Sequence, residues 1–278
     1  ISNLNILSSM RYRQSQLWVV LVFLLFNSGL LAQPAGYEHR KLITLNGTQI
    51  SGSTDHANFP VMIKVTEADL KSTSNGGGVV NPSGYDIVFT QSDGSTLLKH
   101  ELQNYTASTG DLLCWVNLPT LTPTVDSTIY LYFGKPAIYT DQSDTLTWNS
   151  NYLGVWHLED LSDAAGAYTL TDHNTAANSS GYLGNAREFD GDGDDLEELK
   201  GGSYLDGLGA FTISLWAKAD ALGTDKGLIY GTDPDALDRR MMIRQDAAGE
   251  KGGGTNVFRT SSLLGTNSKQ RHESSNGS

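Results

Sequence analysis

Apolar and polar side chains alternate with a period of two through much of the chain after Tyr37, in short runs separated by turn-forming residues. Such runs lie at Arg40 to Leu45, Phe59 to Val65, Tyr85 to Thr90, Thr96 to Leu102, Leu112 to Leu118 and Ser127 to Phe133. Between them stand Asn46-Gly47, Asn75-Gly76-Gly77-Gly78, Asp93-Gly94 and Pro119 to Pro123, residues with turn or loop chemistry. One helical turn fits Thr66 to Leu70, and nothing longer is predicted. Strand following strand without helical periods between them reads as a β-sandwich over 33–140 rather than as βαβ units.

The second half is patterned more sparsely. A stretch rich in Asp, Ser, Thr and Asn over 141–151 reads as a linker, and Leu153 to Glu159 as the first strand of a second sandwich spanning 152–258. Ser162 to Gly184 is a polar connection. Phe211, Ile213, Leu215 and Ala217 then alternate with Thr212, Ser214, Trp216 and Lys218, which predicts a strand with one face on a core. Further strands are expected at Gly227 to Tyr230 and Met241 to Gln245. After about Val257 the alternation stops, and 259–278 reads as a disordered or out-of-frame tail, so the second sandwich is expected to be incomplete. The fold class predicted is all-β, with two β-sandwich domains.

Ahead of the first sandwich, residues 1–9 read as an upstream extension. Met10, Arg11 and Arg13 precede the apolar run Leu17 to Phe26, and Ser28, Gly29 and Ala32 follow it. This is the pattern of a secretory signal peptide over 10–32, cleaved after Ala32 and too short for a convincing membrane span. No cysteine follows that site, which argues against a lipoprotein anchor. Beyond it the 19 basic residues less Arg11 and Arg13 leave 17, against 31 acidic, a net charge of −14. That balance argues against nucleic acid, which needs clustered Lys and Arg, and is compatible with divalent cations and neutral polysaccharides. Aromatic content of 9% and 30 glycines fit a turn-rich β protein. The one cysteine, Cys114, shares a strand face with Leu112, Val116 and Leu118 and reads as a small buried apolar residue rather than a nucleophile.

Two family resemblances overlie this pattern. The segments Tyr85 to Leu102, Trp115-Val116-Asn117-Leu118-Pro119 and Thr128 to Gly134 resemble a bacterial family known as domain of unknown function 2341, which has no established activity. The turn Phe189-Asp190-Gly191-Asp192-Gly193-Asp194, followed by Phe211-Thr212-Ile213-Ser214-Leu215-Trp216, resembles the laminin-G-like, concanavalin A-like jelly-roll modules of bacterial surface proteins. In the first family the domain commonly stands directly before such a module, the order found here. The resemblance implies a secreted or cell-surface bacterial protein that binds a glycan or another cell-surface protein, or else a structural or adhesive spacer.

Candidate chemistry is of three kinds. Asp190, Asp192, Asp194 and Asp195 place oxygen ligands on a tight glycine-bearing loop, which suits Ca²⁺, with Asp163 and Asn174 as conceivable further ligands. The same residues also suit a plain hairpin turn, with Gly191 and Gly193 supplying positive φ. Glu188, Asp190 and Asp192 imitate the spaced carboxylates of jelly-roll glycosidases, but the glycines place them in a turn, where the fixed separation is hard to hold. The histidines His39, His56, His100, His157, His173 and His272 show no metal-binding or triad spacing. Aromatic residues are the third kind. Trp115, Tyr130 and Tyr132 face away from the core positions of their strands and, if they met on one sheet, would form a platform that stacks on sugar or covers a neighbouring domain, core packing being the plainer reading; Trp216 is a candidate sugar contact in the second domain or closes the second layer of its sandwich.

Overall fold

The computed structural model describes residues 3–6, 33–166, 168–178, 180–198, 208, 210–218, 226–232, 240–246, 257–263 and 269–273. The predicted signal peptide over 10–32 lies outside them. The chain is all-β: among the described residues helical turns are of the tight 3₁₀ kind, at Gly47–Gln49, Ala68–Leu70, Thr73–Asn75 and Thr145–Thr147. No described helix is long and apolar enough to cross a membrane. Two compact units form, Ile1–His157 with Asp163–Ala167, and Leu158–Ser162 with Tyr168–Ser278.

The first unit is a two-sheet sandwich. One sheet has the order β1 (Asn3–Ile6), β2 (His39–Leu45), β7 (Ser127–Phe133) and β4 (Val88–Thr90), antiparallel except for the parallel β1–β2 pair. The other has the order β3 (His56–Thr66), β6 (Asp111–Leu121) and β5 (His100–Thr106), antiparallel throughout. Alternation decides which residues meet between them. Ile43, Leu45, Phe89, Ile129, Leu131 and Phe133 face Ile63, Leu112, Cys114, Val116 and Leu118 in one buried cluster. Cys114 is fully buried, as its strand face predicts, and burial pushes its thiol well above the usual range. Pro60 has no N–H to give, and it sits on β3, an edge strand where none is needed.

Two predicted strands shift, each for a physical reason. Of Tyr85 to Thr90 only Val88–Thr90 is strand, because Asp86 is taken up elsewhere. Its carboxylate is fully buried and accepts N–H bonds from Val80 at 2.9 Å, Asn81 at 2.8 Å and Gly134 at 2.9 Å. The strand predicted at Thr96 to Leu102 runs instead over His100–Thr106: Thr96 to Leu98 turns back onto the end of β4, with Leu98 N donating to the Phe89 carbonyl at 2.9 Å, and the register shifts between Leu102 and Asn104. That bulge reverses the side-chain parity. Leu102 and Tyr105 both pack on the core, and the Tyr105 hydroxyl donates to the Leu70 carbonyl at 2.7 Å. β6 also runs on to Leu121, into the predicted loop, and buries that side chain. The β5–β6 turn closes at Gly110, where φ is +75° and a Cβ would lie 2.0 Å from the Glu67 carbonyl oxygen.

The predicted linker over 141–151 packs on the first unit, and Leu153 to Glu159 forms no strand. Asp163 folds that region into a loop: its Oδ1 accepts from Val155 N at 2.7 Å and Ala165 N at 2.9 Å, and Ala164 N donates to the Val155 carbonyl.

In the second unit β8 (Thr171–His173) pairs with β11 (Asp195–Glu197), and β9 (Ala176–Asn178) with β10 (Ala186–Glu188). β12 (Lys226–Thr232), β13 (Arg240–Asp246), β14 (Val257–Leu263) and β15 (Lys269–Glu273) form an antiparallel meander. Strands therefore lie within the segment read from sequence as a polar connection and within the one read as a tail. The reverse holds for Phe211 to Lys218, which carries no strand ladder. Phe211 and Leu215 are 44% and 42% exposed. Period-two alternation tells which side chains share a face; it buries that face only where partner strands cover it.

Two outcomes follow from the buried groups. Asp86→Asn exchanges a carboxylate that accepts three N–H bonds for an amide that accepts fewer and adds an unmatched donor, and it should lower unfolding stability by roughly 3 kcal/mol in denaturant titration; a loss below about 0.5 kcal/mol would contradict this role. The Tyr105 phenol is pushed from 10.0 up to about 12, first by burial and then by the charge of Asp86. Its contribution is fully present below pH 10 and is lost as pH rises toward about 12, because there the unfolded chain gives up a proton that the folded chain keeps. Tyr105→Phe should therefore be less stable at pH 8, by about 1 kcal/mol for the lost hydrogen bond, yet lose less stability than the wild type across the alkaline window.

Candidate functional site

The chain leaving β7 at Gly134 crosses to the other sheet and lies over its outer face. This strap, residues 134–157, covers the side of β5 and β6 turned away from the core. On that face alternation presents Leu113, Trp115 and Asn117 from β6. The bulge in β5 adds Gln103 beside Glu101, with Glu101 directly across the ladder from Trp115.

Polar bonds hold the strap at several points. Asp144 N donates to the His100 carbonyl at 2.9 Å, and Leu102 N to Ser143 Oγ at 2.9 Å. Asn117 Nδ2 donates to the Thr147 carbonyl at 3.0 Å and the Asn58 carbonyl at 3.1 Å, and Asn149 Nδ2 also reaches Asn58 O, at 2.7 Å. Lys99 pairs with Asp144, and this bond is the first cause holding the Asp144 carboxyl below its ordinary range, with Leu146 N second. His100 beneath the strap is buried edge-on to Phe89, and desolvation lowers its pKa so that the neutral ring is favoured.

At the centre is an aromatic cluster around one carboxylate. Trp148 is only 7% exposed; its indole N–H donates to Glu101 Oε2 at 2.7 Å, and His157 Nε2 meets Glu101 Oε1 at 3.1 Å. The Trp115 indole N–H donates to Gln103 Oε1 at 2.8 Å. Trp148 lies 4.9 Å from Trp115 and 5.1 Å from Tyr152, and His157 is near-parallel to Trp115 at 6.1 Å. Burying an indole contributes roughly 3 kcal/mol. Against this, the Thr147 hydroxyl is buried without a partner, which costs about 1–3 kcal/mol.

The three rings expected on one platform do not meet. Trp115 lies on the outer face of the β3–β6–β5 sheet, whereas Tyr130 and Tyr132 lie on the outer face of the opposite sheet, one on each side of the sandwich. Tyr132 is moreover fully buried: Tyr37 packs edge-on against it at 6.1 Å, and its hydroxyl donates to the Gly94 carbonyl at 3.0 Å. Tyr130 is half-buried, with the Arg40 guanidinium 4.7 Å from its ring centroid. Trp216 is 68% exposed and lies beside Tyr182, 67% exposed, with ring centroids 4.1 Å apart.

The acidic loop is a turn that binds its own backbone. Asp194 Oδ2 accepts from Asp190 N at 2.6 Å and Asp190 Oδ1 from Asp192 N at 2.7 Å, with positive φ at Gly191 and Gly193. Asp192 is exposed, and Asp195 begins β11. Glu188 ends β10, so it does not share a strand with Asp190 and Asp192. Asp163 belongs to the first unit and is spent on the Val155 loop, and Asn174 is an exposed turn residue with φ 65°. Among the described residues no group of three or more His, Cys, Asp or Glu side chains is arranged to hold a metal ion.

Sequence reasoning missed Glu101, Gln103, Trp148, Tyr152 and His157 in the first unit and Tyr182 in the second. The available signal was Trp148 itself, a single large ring in a polar stretch that otherwise has no reason to carry one.

No curated protein and no solved structure matches the chain. Residues 83–169, which take in β4 to β7, the strap and the loop that Asp163 closes, match the family described as a domain of unknown function (DUF2341).

Proposed function

We propose that this is an exported bacterial binding protein that takes uncharged carbohydrate on exposed aromatic rings of its second unit, that unit serving as a laminin-G-like module behind the family domain. The observation that carries the reading is the contact of Tyr182 and Trp216, each about two-thirds exposed and tilted 32° from one another. Contiguous exposed apolar surface is where interaction sites form, and two rings in contact join into one such surface. Each combines an apolar face, suited to the C–H face of a pyranose, with a polar tip suited to a hydroxyl. The chain's net charge of −12 disfavours an anionic polysaccharide, and the basic, apolar and small-residue pattern over Met10 to Ala32 supports export. Oxygens of Asp190 and Asp194 are engaged by their own loop, so the reading gives that loop the role of a turn.

Retention of the chain on immobilised neutral polysaccharides tests this. Trp216→Ala should weaken binding at least tenfold and Tyr182→Ala less, with far-UV dichroism unchanged. Replacing calcium by EDTA should leave binding within twofold. Binding by Trp216→Ala equal to wild type would sink the reading, and a folded wild type that binds no glycan would replace it with that of a spacer in a surface protein. Loss of binding in EDTA would return the acidic loop to consideration as a calcium site.

A further inference from the structure

The outer face beneath the strap has the makings of a second ligand site, already filled by the chain itself. Trp115 offers an indole flanked by a carboxylate, Glu101, and two amides, Gln103 and Asn117. Glu101 bonds only strap residues in the contacts described above, Trp148 at 2.7 Å and His157 at 3.1 Å, and Asn117 gives one of its two bonds to Thr147. A flat ring with such a polar collar is what an uncharged pyranose requires: a stacking surface and bonds for its hydroxyls. The Glu101 carboxylate would repel an anionic sugar. The strap is shaped as a removable occupant. Between 141 and 151 only Thr147 and Trp148 are buried, and Leu146 is 65% exposed. Its bonds through Ser143, Asp144 and Asn149 are made at exposed groups, where water can replace them. Its docking also leaves the Thr147 hydroxyl buried and unbonded, a penalty that release removes.

We propose that the strap is an autoinhibitory plug: Trp148, tilted 52° against Trp115 at 4.9 Å, and His157, near-parallel to it at 6.1 Å, together fill the space where a neutral sugar ring would stack on Trp115, and displacing the strap uncovers a carbohydrate site on the first unit. The inference rests on the preceding reading for the class of ligand but concerns a different surface.

Titration calorimetry of the full chain with laminarin and with yeast mannan, both uncharged, tests it, with heparin as the anionic comparison. Trp148→Ala should bind at least one of the neutral polymers tenfold or more tightly than wild type, without gain for heparin. Adding Trp115→Ala should abolish the gain. Should Trp148→Ala fail to fold, the pair Ser143→Ala and Asn149→Ala cuts two tethers and keeps the indole. It should speed hydrogen exchange at Trp148 N at least tenfold and raise neutral-glycan binding together. Faster exchange without tighter binding, no gain in folded Trp148→Ala, or a gain confined to heparin each overturns the proposal. Introducing Trp216→Ala alongside separates the cases: a gain that survives it belongs to the first unit, whereas loss of wild-type binding in Trp216→Ala with no gain in Trp148→Ala leaves the Trp216 reading standing and removes only the plug.

Discussion

A single buried carboxylate fixes the path of the first unit. Asp86 gathers the amides of Val80, Asn81 and Gly134, joining the loop before β4 to the residue at which the chain leaves β7. A charge removed from water is tolerated only where donors replace the water, and three backbone N–H groups do so here. Asn81 extends the anchor, its side-chain amide donating to the Ile138 carbonyl at 2.8 Å. The departing chain is therefore aimed from the first few residues after β7. It reaches the outer face of the other sheet, where Trp148 and His157 close over Trp115 and Glu101.

A second constraint prepares that face. In a regular strand Glu101 and Gln103 would point outward and Tyr105 with them, leaving the core short of a ring. The bulge changes parity after Leu102, so that Tyr105 turns in to bond Leu70 while Glu101 and Gln103 stay beside Trp115. Core and outer surface are thus both served by one extra residue.

These two features explain what the sequence could and could not say. Leu112, Cys114, Val116 and Leu118, or Ile129, Leu131 and Phe133, alternate without interruption, and their strands and inward faces are legible directly. The bulge at Gln103 breaks the alternation on which such reading relies, so the last residues of β5 are not legible. Segment 141–151 is polar enough to read as a linker, because the place of Trp148 is decided by Trp115 and Glu101, more than thirty residues away in sequence. Tyr132 does face outward as its parity says, yet Tyr37 and the Gly94 turn cover it, and no local pattern announces a lid from so far along the chain. Phe211 to Lys218 errs the other way, a strand pattern without a ladder. The acidic run was legible as a turn from its glycines, and its hydrogen bonds are those of a turn. Of the aromatic candidates Trp216 is the most open to solvent, and the structure sets Tyr182, which the sequence did not single out, beside it.

In the proposed function glycan meets the chain at Trp216, and in the proposed plug Trp148 keeps the other aromatic face closed. The five tryptophans give five indole N–H resonances in a nitrogen-labelled sample of the full chain, assignable by single substitutions. Adding a neutral glycan that the chain retains should move the Trp216 resonance and leave those of Trp115 and Trp148 in place. Movement at Trp115 or Trp148 with Trp216 unchanged would contradict the claim and place the ligand on the first unit of the unaltered protein.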